Sequence, residues 1–108
     1  MLRYHHIGIP TGIERENETY LEKYKMFVSG FEKSPYGVEW MRFEPDSPLP
    51  DIVKTIPHVA FEVDDLEAQI RGKEILIAPN SPSEGLIVAF IVDNGVPVEF
   101  IEIEKPTE

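Results

Sequence analysis

Pro57-His58-Val59-Ala60-Phe61-Glu62-Val63-Asp64-Asp65-Leu66 is the stretch on which the fold turns. Apolar residues at 59, 61 and 63 alternate with His58, Ala60 and Glu62, which is the period of a strand with one face on a core. Two acids then precede Leu66. With Asp64 as N-cap and Glu67 three positions on, a helix is predicted to follow and to stop at Gly72. The same opening occurs 52 positions earlier, where His6-Ile7-Gly8-Ile9 again sets a histidine two positions before a very small residue. A second echo joins Val38-Glu39-Trp40-Met41 to Val98-Glu99-Phe100-Ile101, 60 positions apart. Two matched echoes in one chain imply an internal duplication.

Outward from these echoes, the first half predicts a strand over residues 4–9, ended by Pro10-Thr11-Gly12. Residues 13–24 are strongly charged, with Ile13, Tyr20, Leu21 and Tyr24 available for one narrow face, and a short helix is expected there. Strands follow over 25–30 and 37–44. The proline-rich run Glu44-Pro45-Asp46-Ser47-Pro48-Leu49-Pro50 opens a linker over about 44–56. In the second half a strand over 57–63 leads into the helix. A short strand over 75–78, a loop over 79–85, and strands over 86–92 and 96–103 come next, the last two joined by Asp93-Asn94-Gly95, a strong hairpin signal. Each half thus runs strand, helix, strand, strand, strand, giving an α+β chain of two βαβββ modules over about 1–50 and 51–104. The tail over 104–108 is expected to fray.

At 108 residues and 42% hydrophobic, the chain suits one compact domain, and modules of half that size bury too little surface to stand alone. Twenty acidic residues against 10 basic ones give a formal charge of −10, a field that repels phosphate backbones and makes nucleic acid a poor partner. The absence of cysteine excludes disulfides and thiolate metal sites and fits a reducing compartment. No apolar run approaches the roughly 20 residues that cross a membrane, and the first residues lack the apolar stretch of a signal peptide. A cytoplasmic protein without a membrane partner is therefore expected.

Strand parity orients the echoed residues. Val59, Phe61 and Val63 should lie beneath a helix, which leaves His58 on the opposite face. Ile7 and Ile9 leave His6 there too, and Glu39 and Glu99 oppose Val38/Trp40 and Val98/Phe100. Gly8 and Ala60, two positions after the histidines, leave room for a ligand on that face. A carboxylate buried among apolar neighbours is unfavourable by several kcal/mol, on the order of the penalty for desolvated ions, unless its charge is compensated. A divalent cation would compensate it, and two imidazoles with two carboxylates suit Zn, Ni, Mn, Fe or Co. The candidate metal ligands are therefore His6, Glu39, His58 and Glu99. A two-residue shift would put Met41 where Glu39 is expected. His5 has the wrong parity and reads as a surface neighbour of the first helix. Glu62 reads as a lining residue, Trp40, Phe43 and Phe90 as core, and Arg42 as solvating an edge.

With these residues the chain resembles the vicinal oxygen chelate superfamily, which includes glyoxalases, bleomycin-resistance proteins and ring-cleaving dioxygenases. The carriers are His5-His6-Ile7-Gly8-Ile9, the stretch from Pro57 to Leu66, and Pro97-Val98-Glu99-Phe100-Ile101-Glu102. The resemblance covers nearly the whole chain. It implies eight strands in curved mixed sheets around a central cleft, with a metal ion there. His6, His58 and Glu99 match the family's ligands, and Glu39 matches the fourth. The first module departs from the pattern: His6 to Glu39 covers 33 positions against 41 from His58 to Glu99. Its helix and second strand are the shortened parts, so that wall of the cleft is expected to be open or completed by another chain. A homodimer is expected on the same grounds.

The function this implies is that of a glyoxalase-like metal-dependent enzyme acting on a small oxygen-bearing substrate, as an isomerase, epimerase or lyase. The metal would hold vicinal oxygens, and Glu99 or Glu39 would move the proton. An extradiol-type dioxygenase fits less well, because Glu39 would be surplus to two histidines and one carboxylate. The alternative is a metal-free protein of the bleomycin-resistance type that sequesters a small molecule, for which the charge of −10 would suit a cationic ligand. Substrate specificity would reside in loops 33–36 and 80–85.

Overall fold

A computed structural model of the chain describes residues 1–104, and Lys105 to Glu108, most of the tail expected to fray, lie outside the described residues. The order of elements is β1 (Arg3–Pro10), β2 (Thr19–Leu21), β3 (Met26–Ser29), β4 (Val38–Phe43), α1 (Asp51–Thr55), β5 (His58–Glu62), α2 (Leu66–Ile70), β6 (Glu74–Asn80), β7 (Leu86–Asp93) and β8 (Val96–Ile103). All eight strands join one mixed sheet in the order β2-β3-β4-β1-β5-β8-β7-β6. At its centre β1 runs antiparallel to β5, while β4 and β8 flank them as parallel neighbours of β1 and β5. The sheet curls until its two ends meet. The hydroxyl of Tyr24, in a 3-10 turn after β2, donates to Asn80 Oδ1 on β6 at 2.7 Å. The result is an α+β half-barrel with few helices.

The outer face of the second half carries the main core. Val63, Leu66, Ile70, Ala89, Ile91 and Phe100 are buried together, with Phe61 and Val98 packed against them. Leu66 and Ile70 are the buried face of α2, and Phe61, Val63, Val98 and Phe100 are the residues that strand alternation sends beneath it. On the inner face Ala60, Val88 and Ile101 form a smaller cluster. The turn between β7 and β8 has Asn94 at φ 50 and Gly95 at φ 81, the left-handed pair that a two-residue hairpin requires.

Several local details differ from the sequence expectations. The N-cap of α2 is Asp65, not Asp64: its carboxylate accepts from the Ala68 amide at 3.2 Å. Asp64 is turned instead toward Arg3, whose Nη2 donates to it at 3.0 Å. Glu67 is then one position short of a capping box. The free amide of Leu66 is met by Glu102 on β8, at 2.8 Å. The linker over 44–56 contains a helix, α1, with Val53 fully buried. β6 runs from Glu74 to Asn80, longer than the 75–78 expected, with irregular register against β7.

The largest difference is in the first half, where residues 13–24 form no α-helix: residues 13–18 are irregular, Thr19–Leu21 is β2, and Glu22–Tyr24 is a single 3-10 turn. Asn17 sits at φ 59, a left-handed value no helix tolerates, and Ile13 and Tyr20, half of the apolar stripe, are exposed. The chain crosses the outer face as an irregular strap. Arg42 Nε and Nη2 grip the Glu18 carboxylate at 2.9 and 2.7 Å, and the Arg15 guanidinium lies 4.9 Å over the Trp40 ring. Arg42 is thus an anchor for the strap and does not solvate an edge.

Asp65→Ala is expected to destabilise the protein by about 1 kcal/mol, the usual worth of an N-cap, read as a lower urea midpoint with unchanged slope. Asp64→Ala should lower the midpoint less.

Candidate metal centre

Register across the central strands builds the site. His6 of β1 stands opposite Ala60 of β5, which stands beside Glu99 of β8. One row along, Glu39 of β4 stands beside Gly8, which is opposite His58. Each row therefore alternates large polar side chains with one very small residue. The small residues are a packing requirement. A Cβ on Gly8 would lie 2.3 Å from His58 Cε1, so the imidazole rests on the glycine backbone, and the space expected to hold a ligand is filled by His58 itself.

The side chains converge. His58 Nε2 lies 3.0 Å and His6 Nε2 lies 3.3 Å from the same atom, Glu99 Oε1. One donor atom from each of the three residues falls within 4.8 Å of the others. All three are buried, His58 to 3% exposure. Glu39 Oε1 stands 3.8 Å from His6 Nε2, at the rim, with its side chain 25% exposed. Met41 is buried at 3% exposure, and Glu39 is the residue of β4 next to the imidazoles. The Phe90 ring meets His58 edge-on at 5.0 Å, so this core residue also walls the site. Glu62 does not line it, being held by Arg3 Nη2 at 3.0 Å.

The two carboxylates are driven apart electrostatically. Burial alone would raise the Glu99 pKa, but hydrogen bonds and charge from His58 and His6 outweigh it and hold the group at about 2. Burial also raises Glu39, and there it prevails: the nearby imidazoles offset it only in part, and the charge of Glu99 adds to it. Burial lowers His6, but the bond and charge of Glu99, with Glu39 behind it, carry its pKa above the ordinary value. Glu99 thus stays ionised while Glu39 is shifted toward neutral pH.

Donor chemistry and spacing fit a divalent cation. Bonds of about 2.0–2.2 Å to nitrogen and oxygen place neighbouring ligands of one ion roughly 3.0–3.5 Å apart, and the Glu99 contacts at 3.0 and 3.3 Å fall in that interval. His6, His58 and Glu99 could hold the ion, with Glu39 as a fourth donor or a group working beside it. His58 Nδ1 is buried without a hydrogen-bond partner among the described residues.

Three participants are not visible to parity reasoning. His5 lies against His6, with Nδ1 of each ring 2.9 Å apart, because the β1–β5 register slips between Tyr4 and His6. The adjacent histidines are plain in the sequence, but the slip is not. Tyr24 and Asn80 close the cleft from opposite ends of the sheet, a contact for which the sequence carries no signal.

No family model matches the chain, and no curated protein matches it. Among solved structures, a hypothetical protein from Bacillus halodurans C-125 aligns over 99% of this chain and 98% of its own, with a TM-score of 0.73 and 19% identity. Methylmalonyl-CoA epimerase from Mycobacterium tuberculosis aligns over 97% of this chain and 88% of its own, with a TM-score of 0.58 and 16% identity. At these identities the likeness is one of fold alone, and with the curled mixed sheet it fits the vicinal-oxygen-chelate-like architecture expected from the sequence.

Two outcomes are expected from this geometry. Gly8→Ala should destabilise by about 1–3 kcal/mol, as overpacking does, read from the urea midpoint. With chelator present, the depressed Glu99 pKa contributes stability that is full above its ordinary 4.5 and lost as pH falls toward about 2. The raised His6 pKa contributes stability that is full below 6.5 and lost as pH rises through the higher folded value. The cluster therefore stabilises most between about pH 4.5 and 6.5, and Glu99→Gln should flatten both flanks of a thermal-midpoint profile.

Proposed function

We propose that the protein is a metal-dependent enzyme of the glyoxalase-like type, moving a proton between adjacent carbons of a small oxygen-bearing substrate. The observation that carries this reading is the convergence of two buried imidazoles on one buried carboxylate from three neighbouring strands. His6, His58 and Glu99 are the ligands of a divalent ion, and Zn, Ni, Mn, Fe and Co all suit such nitrogen and oxygen donors. A bound ion of this kind supplies Lewis-acid polarisation of substrate oxygens.

The chain's own groups divide the remaining work. Glu99, held ionised, is a ligand and a poor proton acceptor. Glu39, partly exposed and with a raised pKa, is the group suited to take a proton from carbon and return it. A cavity of about 710 Å³ beneath the strap has Glu39 among its lining residues, with Arg15, Phe31, Lys33 and Trp40, whereas His6, His58 and Glu99 do not line it. In this reading residues 1–50 and 51–104 are two copies of one unit within a single domain, and the protein works as a homodimer. That an epimerase carries the same fold agrees with proton-transfer chemistry.

The runner-up is a metal-free binder of a small cationic molecule. It is favoured by one feature: the Glu99 carboxylate is already satisfied by both imidazoles at hydrogen-bonding or near-hydrogen-bonding distance.

Elemental analysis of protein purified without an affinity tag separates the two. About one equivalent of a first-row metal is expected, absent from His58→Ala. Glu39→Gln should keep the metal yet lose at least about 100-fold of any solvent-deuterium incorporation into small carbonyl compounds with an acidic α-carbon. Metal-free protein whose melting temperature ignores added Zn²⁺, Mn²⁺ or Co²⁺ would leave the binder standing.

A further inference from the structure

We propose that His5 is a positioning residue for His6: its Nδ1 accepts the Nδ1–H of His6, so that Nε2, which donates to Glu99 in the metal-free cluster, is the nitrogen that faces the ion once that proton has left. This rests on the metal-binding reading above. It begins with the backbone. On β1, Tyr4 stands opposite Phe61 and His6 opposite Ala60, so two residues of β1 span one step of β5 and His5 has no partner of its own. Such a bulge inserts an extra residue and re-aims the side chains around it. His5, which regular alternation would send to the outer face, instead lies beside His6 with ring centroids 5.1 Å apart. Its ring is fixed there by stacking on Phe31, 5.2 Å between centroids and 9° from parallel.

The two Nδ1 atoms are 2.9 Å apart, a hydrogen-bonding distance at which one nitrogen must carry hydrogen and the other a lone pair. The direction of that bond decides what His6 can do. A neutral imidazole has one N–H. If His5 donated, the hydrogen of His6 would be on Nε2, the atom facing Glu99 at 3.3 Å and Glu39 at 3.8 Å, and that atom could not coordinate an ion. If His5 accepts, the ring keeps its hydrogen on Nδ1, and Nε2 can exchange the proton it shares with Glu99 for an ion. Metal-bound histidines ordinarily donate their second N–H to a fixed acceptor, a carboxylate, carbonyl or water. Here the acceptor is another imidazole, supplied by the preceding residue. His58 is held differently, by the Gly8 backbone beneath it and Phe90 at its edge, with its Nδ1 unpartnered among the described residues.

Two variants separate this role from packing. His5→Phe keeps a ring to stack on Phe31 but removes the acceptor. His5→Asn places a side-chain oxygen near the position of Nδ1. Calorimetric titration with Zn²⁺ should show affinity falling about 10–100-fold in His5→Phe and returning to within a few fold of the parent in His5→Asn. In Zn²⁺-loaded, ¹⁵N-labelled parent protein, a His6 Nδ1–H coupled across the hydrogen bond to His5 Nδ1 is expected. Unchanged affinity in His5→Phe, or equal loss in both variants, overturns the positioning role while leaving the metal site intact. A parent protein that takes up no Zn²⁺ overturns the metal site and this role together.

Discussion

The carboxylate of Glu99 lies out of water between two imidazoles, and the centre of the sheet is arranged around keeping it charged there. An isolated buried carboxylate would be unstable by several kcal/mol, on the order of the usual ion-burial penalty, or would take up a proton. His6 and His58 prevent that, and each needs a particular neighbour. His58 needs the bare Cα of Gly8 beneath its ring, while Ala60 fills the position between His6 and Glu99. The register of three strands, two very small residues and three ionisable ones are thus parts of one arrangement, and none can change alone. The same arrangement separates the carboxylates, since the one between the imidazoles is held acidic and the one at the rim is not.

The two ends of the sheet solve the problem of the outer face differently. In the second half α2 covers Ala89, Ile91 and Phe100 and makes a dry core. In the first half the connection is too short for that. A strap held by Arg42–Glu18 and Arg15–Trp40 takes the helix's place, and charge pairing and ring contacts do there what apolar burial does opposite. The cavity that reaches Glu39 opens under this strap. What is missing in packing on one side is present as space on the other.

Much of this is legible in the sequence. Alternation over 57–63 is strong because one side of the strand meets a helix and the other the cleft, so the face of His58 follows from period two, and that of Glu99 follows from its place between Val98 and Phe100. Whether the echoed residues bind an ion is not something alternation addresses. Legibility failed where an interaction is settled by distant partners. Asp64 and Asp65 are equivalent as caps until Arg3, some sixty positions away, engages one of them. Residues 13–24 have helix-like composition, yet a left-handed Asn17 and a stripe with nothing to pack on leave them as a strap. A bulge adds one residue without marking it, so His5 reads as outward-facing until the pairing of Tyr4 and His6 with β5 is known.

The strand order also governs how such a chain can be assembled. β1 lies at the middle of the sheet, yet both of its hydrogen-bonding neighbours come later in the chain, β4 within its own half and β5 beyond the linker. During synthesis β1 would emerge before either of the strands it pairs with. Parallel and long-range pairings of this kind close slowly, because loop entropy is lost before any contact is gained. A formal charge of −10 bears on the same interval, since like-charged chains repel one another while the central strand is bare.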